Sequence, residues 1–159
     1  MKKKYENSLR EIINEYNIKP KKKLGQNFLH DKNIISSIII EADVEDEDII
    51  EIGPGPAILT ESILKNKARS LLVIEKDNSF EINLKKIKNN YKDNFDYLIS
   101  DVIDFDFKIL TKKDYKFVSN LPYNISVPFI LKMIKIRKII PWKEMILMVQ
   151  KEVAERITA

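Results

Sequence analysis

Apolar residues recur along this chain in short blocks whose spacing switches between extended and helical. The runs Ile49–Ile52, Leu71–Ile74, Tyr97–Ile99, Phe117–Ser119 and Met145–Val149 are nearly continuous and rich in β-branched or aromatic residues, which predicts buried strands. Between several of them, Ile58–Asn66, Asn78–Asn90 and Val127–Ile136 carry apolar residues at helical spacing. Strands alternating with helices of this length predict βαβ units, and so an α/β fold with a mostly parallel sheet and flanking helices. Upstream, Asp31 is a candidate N-cap for a helix reaching about Ala42, with Ile34, Ile35, Ile38 and Ile39 as its apolar stripe. Residues 1–18 read as a polar leader with a short amphipathic helix that Pro20 ends; Leu9, Ile12, Ile13 and Tyr16 fall on its apolar face. The expected division is therefore a leader over 1–19 and one α/β domain over 20–159. A further helix begins at Gln150-Lys151-Glu152 and reaches Ala159 without a cap or closing element. The sheet is thus expected to be cut before its last strands.

Composition narrows the class without naming a chemistry. At 159 residues, with 44% hydrophobic and 33% charged residues, the chain is expected to be one soluble globular domain. No run approaches the ~18 apolar residues of a membrane span, and no apolar stretch follows the lysines of Met1-Lys2-Lys3-Lys4, so a cytoplasmic location is expected. The absence of cysteine excludes disulfides and thiolate metal sites, and a single histidine, His30, argues against a His-based metal site or a Ser–His triad. No metal is expected. The net charge of +4 is modest, but Lys19, Lys21, Lys22 and Lys23 cluster just before Leu24-Gly25-Gln26-Asn27-Phe28. Such a run suits phosphate contact; in a chain this rich in lysine it equally suits a solvated surface.

Candidate chemistry gathers at the carboxyl ends of the predicted strands, where ligands bind in open α/β sheets. Glu51-Ile52-Gly53-Pro54-Gly55-Pro56-Ala57 follows the first strand; Gly53 and Gly55 allow a tight turn and close ligand approach, and Ala57 is small enough to preserve helix–strand packing. Glu75 ends the second strand and is placed to bind both hydroxyls of a ribose; the bland alternative is a surface Glu paired with Lys76. Asp101 follows the third strand and is placed to meet the adenine amine of a bound nucleoside; its bland alternative is a turn cap. After the fourth strand, Asn120-Leu121-Pro122-Tyr123 combines amide and carbonyl acceptors, a fixed backbone and an aromatic face. That set can hold a flat ring bearing an exocyclic amine, stack on it, and localise the amine lone pair without a strong base. An ordinary Asn-x-Pro turn is the alternative. All four signals fall on one rim in chain order, which points to a nucleoside cofactor held beside an amine-bearing base. The segment Lys19–Leu29 must cross that rim and is expected to act as a flap over the cofactor.

Several separated motifs carry a resemblance. Lys23-Leu24-Gly25-Gln26-Asn27-Phe28-Leu29, Glu51-Ile52-Gly53-Pro54-Gly55, Leu59-Thr60-Glu61, Asn120-Leu121-Pro122-Tyr123-Asn124-Ile125-Ser126 and Gln150-Lys151-Glu152-Val153-Ala154-Glu155-Arg156 resemble the ribosomal RNA adenine dimethyltransferases over about residues 20–159. The resemblance implies a Rossmann-like methyltransferase that uses S-adenosylmethionine, leaves S-adenosylhomocysteine, and dimethylates the N6 amines of two adjacent adenines in small-subunit (16S-type) rRNA during ribosome biogenesis. Its partner would be that rRNA or a pre-30S-type particle, with no membrane, and the protein is expected to act as a monomer. Carried over motif by motif, the resemblance implies cofactor contacts at Asn27, Leu29, Gly53, Gly55, Glu75, Asp101 and Asn120. The catalytic loop would be Asn120, Leu121, Pro122 and Tyr123. Family members continue well past this end with further strands, an aromatic loop and a small helical domain for RNA. The chain is therefore expected to be the amino-terminal part of such an enzyme, itself more suited to binding cofactor than to completing rRNA methylation. Three alternatives remain at this point. A large-subunit enzyme of the macrolide-resistance type shares the Gln-Asn-Phe and Asn-x-Pro-Tyr elements, an NAD-dependent oxidoreductase would also use the Gly-rich loop and Glu75, and a non-catalytic RNA-binding module needs no turnover.

Overall fold

The computed structural model describes residues 9–15, 17, 19–110 and 114–159. Five parallel strands, β1 (Asp48–Ile52), β2 (Ser70–Glu75), β3 (Phe95–Ile99), β4 (Tyr115–Asn120) and β5 (Trp142–Met148), lie in the order β3-β2-β1-β4-β5. The helices are α1 (Leu9–Glu15), α2 (Lys32–Ala42), α3 (Ile58–Lys65), α4 (Glu81–Asn90), α5 (Ser126–Ile136) and α6 (Lys151–Thr158). Strand alternation divides the apolar side chains between two cores. Ile49, Leu71, Val73 and Val118 face α2, α3 and α4, while Ile50, Ile52, Ile74 and Phe117 face α5 and the aromatic loop holding Phe105 and Phe107. Every residue of β1 is buried, as expected for a central strand covered on both faces.

Local sequence explains the element ends. Asp31 caps α2 as expected, accepting hydrogen bonds from Asn33 N (2.8 Å) and Ile34 N (3.3 Å). At the other end of α2 the buried Lys116 Nζ donates to the carbonyls of Ala42 (2.8 Å) and Asp43 (3.0 Å), two groups the helix itself leaves unpaired. The helix expected over Asn78–Asn90 opens with a 3-10 turn, Asn78–Phe80, because the Asp77 side chain accepts from Ser79 N and tightens the start.

Three expectations need correction. The run Met145–Val149 is not a fully buried strand: β5 begins at Trp142, pairs only with β4, and is half-buried along most of its length. β3 likewise begins at Phe95, and its position at the opposite edge leaves Ile99 exposed. A hydrophobic run reports burial summed over neighbours, and an edge strand has one neighbour fewer. Ile34 is also exposed, since the part of α2 facing β1, β2 and β4 begins one residue later at Ile35. Of the apolar face expected on α1, the Ile13 side chain is half-buried, while the side chains of Leu9 and Ile12 and the whole of Tyr16 lie outside what the structure describes. No helix among the described residues is long and apolar enough to cross a membrane.

Candidate active site

The chain reverses its winding direction between β1, which leads to α3 on one face, and β4, which leads to α5 on the other. At such a switch point the strands part and leave a crevice. The β1–β4 pairing here extends through Ile50 and Phe117, and beyond it the Ile52 N–H donates to the Ser119 hydroxyl at 2.7 Å. A side chain thus takes over where the backbone ladder stops. The cleft above is lined by the turn 51–56, the ends of β2 and β4, and the segment 24–29. The cleft is open at its mouth, and the empty space within it, adjoining solvent included, is about 850 Å³.

Gly53 sits at φ +64°, and a Cβ there would approach the Pro122 ring to 3.1 Å. Both backbone conformation and space therefore call for glycine. Ala57 does more than preserve packing: it is buried at φ +66° and forms the N-cap of α3, a conformation that costs an L-residue energy. Gly55 presents its N–H to Glu75 Oε2 at 3.0 Å, and the second carboxylate oxygen accepts from Asp77 N at 2.8 Å. Glu75 is therefore no surface residue paired with Lys76. It is 5% exposed, and Lys76 turns instead to Asp101 Oδ2 at 2.6 Å. Burial pushes the Glu75 carboxyl above the usual carboxylate range against those two N–H bonds.

Asp101 also caps the turn after β3, its Oδ1 accepting from Ile103 N at 2.9 Å, so the bland alternative and the site position hold together. The Lys76 hydrogen bond holds its carboxyl below the ordinary value. The loop beyond is pinned by Lys132, whose Nζ donates to the carbonyls of Val102 (3.1 Å), Ile103 (2.6 Å) and Phe105 (2.6 Å). Lys132→Met should leave three carbonyls without their shared donor, costing about 1–3 kcal/mol. A thermal melt should show a fall of several degrees; an unchanged midpoint would mean the loop holds itself.

Asn120 donates from Nδ2 to the Asn27 carbonyl at 2.9 Å, which assigns its amide nitrogen and leaves Oδ1 as an acceptor. Leu121 is 5% exposed with its side chain in the core, so only its backbone remains for a ligand. Pro122 lines the cleft and packs against Gly53. Tyr123 does not line the cleft: its hydroxyl donates to the Lys22 carbonyl at 2.9 Å and its N–H to the Gly25 carbonyl at 3.3 Å, with the ring about half exposed. Asn27, Phe28 and Leu29 all border the cleft, Phe28 packing edge-to-face on Phe80 at 5.8 Å.

Segment 21–29 forms a strap fastened at both sides of this cleft. On the β2 side, Lys21 Nζ (2.8 Å) and Gln26 Nε2 (3.0 Å) both donate to Asp77. Burial works to raise the Asp77 carboxyl, but bonds from Lys21, Gln26 and Ser79 outweigh it and hold it at about 2. On the β4 side, Gly25 packs so tightly on Asn124 that a Cβ would lie 2.6 Å from its side-chain oxygen.

Two residues at or beside the cleft carry little signal in sequence. Glu51 only opens the Gly-rich turn there, yet it is 1% exposed on the cleft floor, accepting from the Thr60 hydroxyl at 2.7 Å. Burial pushes its carboxyl up to about 8, the Thr60 bond opposing and the Glu75 charge adding to the rise. Asp77, to which the sequence assigned no role, caps the turn that follows it and joins Glu75 to the strap.

The sequence pattern of the family described as Ribosomal RNA adenine dimethylase matches residues 17–159. The chain belongs to this family. Two relatives named "Ribosomal RNA small subunit methyltransferase A" agree: one from Mycoplasmopsis synoviae is 41% identical over 92% of this chain and 55% of its own length, and one from Rhodopseudomonas palustris is 38% identical over 95% and 54%. The chain thus spans about half the length of the curated relatives it matches. A dimethyladenosine transferase from Plasmodium falciparum superposes with a TM-score of 0.68 at 32% identity, covering 84% of this chain and 46% of that one. A 23S rRNA methyltransferase at 22% identity (TM-score 0.67, covering 81% and 50%) shares the fold. The Rossmann-like class expected from the motifs is therefore the fold of this family member.

Proposed function

We propose that this dimethylase-family chain forms the cofactor- and base-binding part of an S-adenosylmethionine-dependent enzyme that dimethylates the N6 amines of two adjacent adenines in small-subunit rRNA, contributing to ribosome biogenesis in the cytoplasm. Residues 20–159 are its cofactor-binding unit. The observation that carries this reading is the convergence of Glu75, Asp101 and Asn120, from three successive strand ends, on one cleft beside Gly53 and Gly55. The donor set fits the cofactor: a buried carboxylate suits ribose hydroxyls, Asp101 offers an acceptor for an adenine amine, and the glycine turn admits close backbone approach. Asn27 and Leu29 on the strap complete that side. When bound, the cofactor supplies an electrophilic methyl group on a sulfonium.

The chain's own residues present the other reactant. Asn120 Oδ1 is free to accept from a target amine while its nitrogen is held by Asn27, so the acceptor is oriented before any base arrives. The backbone beside Pro122 offers a second acceptor. Tyr123 offers an exposed ring next to this turn, and a target base stacking on it would gain about 1–3 kcal/mol. Acceleration rests mainly on proximity and alignment of amine and methyl. An oxidoreductase reading leaves the Asn120–Tyr123 turn without a task.

Calorimetric titration of S-adenosylmethionine and of NAD into the protein tests the reading: S-adenosylmethionine should bind and NAD should not, and the reverse would replace it with the oxidoreductase. Glu75→Ala should weaken S-adenosylmethionine by about tenfold or more, since ~1.4 kcal/mol is a factor of ten. The Gly55 and Asp77 N–H groups also lose their acceptor in that variant, so its melting temperature belongs beside the affinity. A folded variant with parental affinity would remove Glu75 as the ribose ligand.

A further inference from the structure

Two of the residues that line the cleft are buried carboxylic acids, Glu51 and Glu75. Glu51 on β1 and Glu75 at the end of β2 point to the same face of the sheet, since Glu51 is in register with Val73, two residues before Glu75. Glu51 is 1% and Glu75 5% exposed. Lys76, the lysine among the residues that line the cleft, pairs with Asp101, and Lys21 at the start of the strap pairs with Asp77. From α3 the group bonded to Glu51 is the uncharged Thr60; of the residues lining the same cleft, Asn120 from β4 and Gln26 and Asn27 from the strap carry no charge. Two buried carboxylates without a counter-ion repel one another and forfeit hydration, so one of them keeps a proton. Glu75 has two N–H donors that favour its anion, whereas Glu51 has one hydroxyl. The proton therefore resides on Glu51. This matches the direction of its carboxyl, pushed up to about 8.

We propose that Glu51 is a proton-releasing counter-ion for the cofactor: neutral in the free protein, it gives its proton to solvent when the positive charge of S-adenosylmethionine enters the cleft. This rests on the S-adenosylmethionine reading above. The carboxyl O–H bond breaks, its electron pair stays on Glu51, and the proton goes to buffer. Cofactor affinity then rises with pH below the free-protein titration of Glu51 and levels above it, because each proton released adds a factor of about ten per pH unit.

Calorimetry of S-adenosylmethionine binding at pH 7 in phosphate and in Tris, whose ionisation enthalpies differ, reads the protons released. Up to about one proton per ligand is expected from a group that is mostly protonated at that pH. The cofactor's own α-amino group titrates near pH 8, so the parent is compared with Glu51→Gln, an isostere that should bind without this release and with a flatter affinity–pH profile. Thr60→Val provides a second variant: losing the hydroxyl that favours the anion should move the release to higher pH. S-adenosylhomocysteine lacks the sulfonium but keeps the ammonium. Release with both ligands, or with S-adenosylmethionine alone, supports the proposal and assigns the charge that Glu51 answers. Binding with equal enthalpy in both buffers, or equal release from parent and Glu51→Gln, overturns it while leaving the cofactor reading intact. Failure of S-adenosylmethionine to bind at all would overturn both.

Discussion

Asn120→Ala, introduced into a full-length protein containing this chain, is expected to slow single-turnover methylation of small-subunit rRNA by about 10²–10³-fold, the usual effect of deleting one preorganised polar group aimed at the reacting centre. The geometry behind this figure is the fixed amide: Nδ2 is bonded to the Asn27 carbonyl, so Oδ1 does not have to reorient as the target amine becomes tetrahedral. An interaction that strengthens toward the transition state affects turnover more than affinity, and RNA binding should change only a few-fold. The variant also releases the Asn27 carbonyl, which loosens one tie of the strap. Asn120→Asp separates the two roles, because it keeps an acceptor but cannot donate to Asn27. A parental methylation rate in Asn120→Ala would end the case for amine orientation by this residue.

A second large effect belongs to stability. Glu51 is fully buried with its carboxyl pushed up to about 8, against an ordinary 4.5. A carboxyl raised in the folded state keeps its proton there after the unfolded chain has lost its own, so stability is fully present below about 4.5 and is lost as pH climbs toward 8. At about 1.4 kcal/mol per unit the loss is roughly 3–6 kcal/mol, a large share of the ~5–15 kcal/mol that holds a domain of this size together. Glu51→Gln fills the same space without a titrating group. Its melting temperature should therefore fall much less than the parent's between pH 5 and 9, the remaining slope coming partly from Glu75, whose carboxyl is raised for the same reason. Parallel melting curves for the two proteins across that range would show that Glu51 ionises freely in the fold.

Both effects concern residues that differ sharply in how visible they are along the chain. Asn120 stands in a tetrapeptide whose composition announces a purpose, and the resemblance to the dimethylases sharpened it. Glu51 sits among isoleucines in a β1 strand buried throughout, where periodicity distinguishes only buried from exposed. Tyr123 is readable in the sequence as an aromatic group offered to a base, but its hydrogen bond to Lys22 across about a hundred residues of chain is not.

The sequence by itself determined the alternation of strands and helices, the cap at Asp31, the Gly-rich turn, and the chain order of Glu75, Asp101 and Asn120 on one rim. Each of these depends on local propensity or on a period of a few residues, which adjacent positions encode directly. Only the tertiary structure decided the strand order β3-β2-β1-β4-β5, the half-burial of edge strands β3 and β5, and the divergence of β1 from β4 that opens the cleft. It also decided that Lys76 serves Asp101 rather than Glu75, that Leu121 belongs to the core, and that Asp77 fastens the strap. Those outcomes follow from which surfaces meet once the sheet is assembled. Charge pairing and burial are properties of neighbours in space, and several of those neighbours lie 20 to 101 residues apart along the chain.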